Sequence, residues 1–445
     1  MADKSPLKTI LKTSLPAVID LSASTFMWTF EAILIGKLSA AAFAGHGMAV
    51  QIIIVVLTLL LTFIVGSSII INRYLGANNT WEANHIMGQA LMMGIGMTIL
   101  IAAGWYFGAD FIFLLIREGG SEARQAGVIY LKTVAMFGPL VLTNFVALGI
   151  IRGAGETRYA MIVNLSIVSL NFVLAPIFIF GLFGVPRLEV RGAAIAMGIA
   201  HSLGFCGTLY LLRSRKCALF LSFKELTTPN VKTFRRLLKA GIPTTVEQLV
   251  WAVGQLIVSG YAATLGITVL AAHQVFLRIQ AILSMFYLGF SLSAMTLVGR
   301  NMGANDRQGV LKTAFTANRV VFVFSFAVFL IMAIFSKQLI AIFTSDPPVV
   351  QLGSSVIIIF ALVQIPKALD GVLIGNLRGV GELKWLMWVT LASVLLFEIG
   401  LNWLLLFVLN YSLMALWLVH LGDEMVRSLV NFQRFKRGKW KLVDI

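Results

Sequence analysis

The sequence predicts an all-α integral membrane protein: twelve transmembrane helices in two six-helix repeats, or lobes, related by a pseudo-two-fold axis along the membrane normal. Three observations predict it. The 445 residues are 59% hydrophobic and only 12% charged, with a mean hydropathy of +0.91, whereas soluble domains are roughly 25% charged. Apolar runs near or above the ~20 residues needed to cross a bilayer recur along the chain. The second half also repeats the first. KTSLP (12–16) aligns with KAGIP (239–243), Asp20 with Glu247, His46 with His273, Arg73 with Arg300, and YLGANN (74–79) with NMGAND (301–306), all 227 residues apart. RGAGET (152–157) aligns with RGVGEL (378–383), and Asn144 with Asp370, 226 apart. Two like halves rich in apolar segments are the mark of a transporter built from repeats, and they direct attention to buried polar residues where the halves meet.

The apolar runs fall at about 14–36, 47–72, 86–108, 126–150, 159–183, 192–212, 244–266, 270–298, 314–336, 350–377, 385–409 and 412–430. Six crossings per half give both repeats the same orientation. With the N-terminus cytoplasmic, inner segments hold 25 Lys and Arg and outer segments six (Lys37, Arg117, Arg124, Arg187, Arg191, Lys337). That asymmetry places both ends inside and implies a multi-pass protein of the inner, or plasma, membrane. The chain divides into an N-lobe (1–212), a cytoplasmic linker (213–239) and a C-lobe (240–445). The linker ends in VKTFRRLLK, whose Val231, Phe234 and Leu238 form one apolar stripe, the pattern of a short interfacial helix; residues 217–230 read as solvated. The start is basic but shows no signal-cleavage site.

The net charge of +16 comes from loop basic residues and is no sign of nucleic acid. Two cysteines, Cys206 and Cys217, imply neither a disulfide framework nor a metal site. No nucleophile–base or His/Asp cluster supports an enzyme. Few, single carboxylates rather than rings disfavour a channel.

Ionisable residues inside spans are costly and mark pathways. Asp20 and Glu31 share span 1. Eleven residues turn a helix three times plus about 20°, so they lie on one face about 16 Å apart, with Ser24 and Met27 between them. Asp20 has two readings: a cavity carboxylate, or a group bonding backbone freed by Pro16. Glu247 takes the place of Asp20 in span 7, followed by Gln248 and, on the same stripe, Trp251. The repeat would set Asp20 and Glu247 on opposite walls of one cavity; alternatively Glu247 is a structural acid that pairs with Arg278 or a backbone group. Lys367 and Asp370, three apart after Pro366, can neutralise each other or bind substrate. Glu398 stands in span 11 with Asn402 one turn on. His46 and His273, at matched positions opening spans 2 and 8, read as shared structural caps, with a proton relay as the alternative.

The whole chain resembles the MATE family, the multidrug and toxic compound extrusion transporters. The resemblance rests on the two-fold repeat of six spans, IIRGAGETRYA (150–160), NLRGVGELKW (376–385), GANN and GAND after spans 2 and 8, GVPRLEVRGAAIAMGIA entering span 6, and PTTVEQL opening span 7. It implies a V-shaped monomeric antiporter that exports organic cations or other amphiphilic drugs in exchange for protons or sodium ions, without a cofactor. A flippase for lipid-linked or amphiphilic substrates is the alternative within the superfamily. The family's span-1 acid maps to Glu31, five residues before Gly36. Its span-5 motif N-x-x-L-D-P appears as NFVLAP (171–176), keeping Asn171 but placing Ala175 where an aspartate is usual; Met197 replaces a frequent threonine. The expected ion-coupling residues are therefore Glu31, Asn171, Glu247 and Asp370. The expected substrate contacts are Asp20, Ser24, Met27, Asn144, Gln248 and Trp251. Loss of the second N-lobe carboxylate favours a proton over sodium, with Glu247 and Asp370 left as a potential sodium site.

Overall fold

The computed structural model describes residues 6–115, 120–409, 412–438 and 440. Of the basic residues used to orient the chain, Lys4, Arg117, Lys439 and Lys441 lie outside that set. Lipid offers no partner for backbone N–H and C=O groups, so each span must satisfy its own, and each one is helical. The spans correspond to α1 (Pro6–Gly36), α2 (Ala40–Gly76), α3 (Thr80–Leu115), α4 (Gly120–Gly153), α5 (Thr157–Phe180), α6 (Glu189–Arg213), α7 (Val231–Thr264), α8 (Ile267–Gly303), α9 (Arg307–Ile334), α10 (Pro347–Gly379), α11 (Leu383–Val408) and α12 (Leu413–Lys436). A short helix, Ser336–Ala341, follows α9. Ten of the twelve are long and apolar enough to span by composition. The other two, α7 and α12, are long enough but carry more ionic and polar side chains, among them Glu247 on α7 and His420, Asp423, Glu424 and Arg427 on α12.

The chain folds as two compact units. One comprises residues 19–241, the other residues 1–18 with 242–445. These limits differ from the sequence boundaries in two places. The first turns of α1 pack with the C-terminal unit, where a Cβ on Gly289 would meet the Val18 backbone N at 3.1 Å and the Ser293 hydroxyl donates to the Ile10 carbonyl at 3.3 Å. Residues 213–241 pack with the N-terminal unit. VKTFRRLLK is not a separate interfacial helix, because α7 runs unbroken from Val231 through Pro243. Nor is 217–230 simply solvated. Leu219 and Leu221 are buried, and Gln89 on α3 donates to the carbonyls of Glu225 (3.0 Å) and Thr228 (2.9 Å).

The repeat is visible in the backbone. Asn78 and Asn305 take φ of 58° and 56°, and Gly155 and Gly381 take 89° and 85°. These left-handed turns close the same loop in each half. In the N-terminal unit α4 packs against α2, α3 and α6; in the C-terminal unit α10 packs against α8, α9 and α12. Glycine permits that central position. A Cβ on Gly379 would lie 2.8 Å from the Met295 carbonyl oxygen, and one on Gly153 2.6 Å from Ser68 Cβ. Small residues let helices approach this closely in a membrane. In α11 the backbone widens into π-helical turns at Val394–Leu401 and Leu404–Val408, which place Glu398 among buried residues.

Candidate functional site

Three polar constellations sit inside these units. The first surrounds Glu31, a buried side chain on the wall of a cavity of about 140 Å³ formed by Trp28, Phe43, His46, Tyr130 and Met197. The Tyr130 hydroxyl donates to Glu31 Oε1 at 2.7 Å, and His46 Nε2 lies 3.5 Å away. His46 is the seventh residue of α2 and buried, so it is not the helix cap that the sequence suggests; it faces the acid. Asn171 is fully buried with neither amide atom hydrogen-bonded, so it makes no hydrogen bond to Glu31. Ala175 is likewise fully buried.

A wider cavity of about 350 Å³ in the same unit is lined by Ser24, Met27, Trp28, Asn144, Met197 and His201, among others. It brings three of the four substrate-contact candidates of the first half together. Asn144 accepts from Thr208 at 2.8 Å, and its amide nitrogen is unpartnered. Asp20 is not on the cavity wall. It is fully buried, and Arg152 Nε donates to its Oδ2 at 2.6 Å. Asn164 bridges the Asp20 carbonyl (3.0 Å) and the Ser24 hydroxyl (2.9 Å). This corrects the reading of Asp20 as a group bonding backbone freed by Pro16.

The C-terminal unit repeats that pair. Arg378 Nη2 donates to Glu247 Oε1 at 2.9 Å. Glu247 is therefore not paired with Arg278, which is exposed. Arg152 and Arg378 are the arginines of the matched RGAGE and RGVGE turns. Topology counting treats them as loop charges, yet each reaches back to bury an acid of α1 or α7. The signal lies in the repeat itself: acid and arginine recur together at offsets of 227 and 226.

Sequence reasoning missed the third constellation. HLGDEMVR places His420, Asp423, Glu424 and Arg427 on one stripe of α12, and all four are buried. The spacing 420, 423/424, 427 is legible, but topology counting assigns Arg427 to the inner side as a loop charge. Lys367 and Asp370 do not pair with each other as expected. Lys367 Nζ binds Glu424 Oε1 at 2.7 Å; Asp370 accepts from Asn431 at 2.8 Å and lies 3.7 Å from Arg427 Nε. They sit one helical turn apart, and the facing helix offers each a better-placed opposite charge. Arg427 Nη2 also holds Glu424 at 2.6 Å, and Ser393 donates to Asp423. A cavity of about 210 Å³ is lined by Glu247, Gln248, Trp251, Lys367, Asp370 and Arg378, among others. It unites the four second-half candidates. Lys367 Nζ stands 5.8 Å from the Trp251 ring centroid.

Glu398, His420 and Asp423 each bring one ligand atom within 4.8 Å of the others. Asp423 is already engaged by Ser393 and by Arg427 at 3.4 Å, and the guanidinium supplies the positive charge a metal would. Of the potential sodium ligands, Glu247 lies 2.9 Å from Arg378 and Asp370 3.7 Å from Arg427.

The MatE family profile matches residues 16–177 and 243–404, one copy in each half. A protein named probable multidrug resistance protein NorM from Thermotoga maritima is 27% identical over 436 residues, 98% of this chain and 93% of that protein. The transporter YisQ of Bacillus subtilis, named as uncharacterized, is 26% identical over 428 residues, 96% of this chain and 93% of its own length. A solved transporter of the MOP superfamily from Pyrococcus furiosus superposes with a TM-score of 0.89 at 21% identity, covering 98% of this chain and 97% of that one; it establishes the likeness of fold. With both halves matched, and twelve helices in the expected order, the chain belongs to the MATE family of membrane transporters.

Proposed function

We propose that the protein is a secondary antiporter that exports cationic or amphiphilic small molecules in exchange for protons by alternating access. Both ends and the 213–239 linker face the cytoplasm. The observation that supports this reading is the setting of Glu31. Every other acid on the cavity walls described above is held by an arginine or lysine. Glu31 instead meets a tyrosine hydroxyl and a histidine in a mostly apolar cavity. An acid without a fixed cation can change its own charge, and protonating it removes the one negative group that would attract a cationic substrate there. The naming of relatives as multidrug resistance proteins agrees with a cavity of Met and Trp side chains that adapt to varied shapes. Sodium fits less well, because it needs several oxygen ligands and Ala175 and Met197 offer none.

Proteoliposomes loaded with an organic cation test this under a pH gradient alone and then a sodium gradient alone. Export follows the pH gradient, and Glu31→Gln folds but loses it. Sodium-driven export indifferent to pH overturns the reading and moves coupling to Glu247 and Asp370.

A further inference from the structure

The Glu31 cavity leaves one buried hydrogen-bond chain unused. In the C-terminal unit His420 sits between two groups of opposite charge. Its Nδ1 is 2.5 Å from Glu398 Oε1 on the π-helical turn of α11, and its Nε2 is 3.2 Å from Lys367 Nζ on α10. An ammonium can only donate, so Lys367 gives a proton to the Nε2 lone pair and the ring carries its hydrogen on Nδ1, toward Glu398. His420, Glu398 and Glu424 are all buried. The two ends of the chain open on different cavities. Lys367 lines the 210 Å³ cavity beside Trp251. Glu398 and His420 line a separate one with Gln255, His273 and Trp417, of about 10 Å³, room for about one water. His273 is buried with both ring nitrogens unpartnered and lines that small space.

Lys367 also occupies the place a cationic substrate would take. Its ammonium is poised over the indole of Trp251, the best of the aromatic faces for binding a cation. Two unit charges cannot share that face, because their repulsion is strong in a partly dry cavity. We propose that an organic cation docks on Trp251 by displacing the proton of Lys367, which leaves through His420 to Glu398 and the small cavity at His273. This rests on the reading above, that the protein exchanges cations for protons, and names a second site for that exchange.

The step balances as a proton relay with no electron transfer. An N–H bond of Lys367 breaks as one forms at His420 Nε2. The N–H bond at Nδ1 breaks as an O–H bond forms on Glu398. Glu398 then gives that proton to water in the small cavity and is a carboxylate again, so the net result is a neutral Lys367 amine, a His420 ring with its hydrogen on Nε2, and one proton released to solvent. Glu424 keeps a cationic partner throughout, because Arg427 still holds it at 2.6 Å. The charged and titratable groups around the relay are Glu247 on α7, paired with Arg378, Tyr287 and His273 on α8, Asp370 on α10, and Asp423, Glu424 and Arg427 on α12. Among these, Asp370, Asp423 and Glu424 all lie against Arg427.

Tetraphenylphosphonium binding to the purified full-length protein in weakly buffered detergent tests the proposal without any gradient, with proton release read by an indicator dye. The wild type releases protons on binding, and affinity rises with pH. Lys367→Arg keeps the charge but cannot deprotonate; it binds the probe about tenfold more weakly, with a flatter pH dependence and fewer protons released. Trp251→Leu loses at least about tenfold in affinity at a wild-type melting temperature. His420→Gln keeps binding but slows pH-driven exchange at least tenfold. Release by Lys367→Arg equal to wild type, or full-speed exchange by His420→Gln, overturns the proposal. Release lost in Glu31→Gln and intact in Lys367→Arg also overturns it while leaving proton-coupled export standing. Absence of pH-driven export by the wild type, with binding-linked release intact, defeats that earlier reading instead.

Discussion

Replacing Arg152 with methionine leaves Asp20 as a fully buried carboxylate without its cation. Asp20 has no exposed surface, its Oδ2 receives Arg152 Nε at 2.6 Å, and its Oδ1 has no hydrogen-bond partner. Breaking such a pair from one side costs about 3–5 kcal/mol, more than the intact pair is worth, because the remaining charge stays desolvated. Unfolding entropies near 2.1 cal/mol/K per residue, over a chain of this length, convert this to a fall in melting temperature of about 3–5 °C. Asp20→Asn with Arg152→Met removes both charges and recovers more than half of that loss. The repeat supplies an internal replica. Arg378→Met strands Glu247, and Glu247→Gln in the same chain rescues it. The assay is thermal unfolding of purified protein in detergent for each single and double variant, assembled as a double-mutant cycle. A coupling below about 1 kcal/mol, with additive losses in both halves, would show that the recurrent acid–arginine pairs do not hold the RGxGE turns to α1 and α7.

Three further outcomes follow from particular contacts. Gly153→Leu or Gly379→Leu pushes a side chain into α2 or α8, where even a Cβ lies under 3.0 Å from its neighbours; both variants lose most folded protein by detergent gel filtration, and wild-type yield would contradict the close packing. Burial, and secondarily the Glu156 carboxylate, push the Cys217 thiol up to about 12; a maleimide in a Cys206→Ser background therefore reacts at pH 8 at least about 100-fold more slowly than with a free thiol, speeding up as pH rises, and fast labelling at pH 8 would refute the setting. Gln89→Ala removes the donor to the Glu225 and Thr228 carbonyls, so trypsin cuts the linker at Lys224 faster than in wild type; unchanged cleavage would show that α3 does not anchor it.

Much of the fold is decided locally. Lipid leaves a long apolar run no alternative to a helix, and the offsets of 227 and 226 mark two copies of one arrangement. Turn chemistry is equally local: Asn78 and Asn305, and Gly155 and Gly381, adopt the same left-handed conformation because the same short turn must close in each half. The sequence also singles out Glu31, Gln248, Trp251 and Asp370, since charge and polarity inside a span need a reason wherever the helix packs. Pairing is not local. Hydropathy sees Arg152, Arg378 and Arg427 as basic residues near span ends, where topology counting expects them; only packing turns each inward onto a desolvated acid. Lys367 and Asp370 are neighbours on one helix, yet both look across to α12, because partner choice depends on which buried opposite charge the facing helix presents. His420 acquires its place between Glu398 and Lys367 in the same way, as the successive helices α10, α11 and α12 pack together and bring into contact three groups that no spacing along the chain puts side by side.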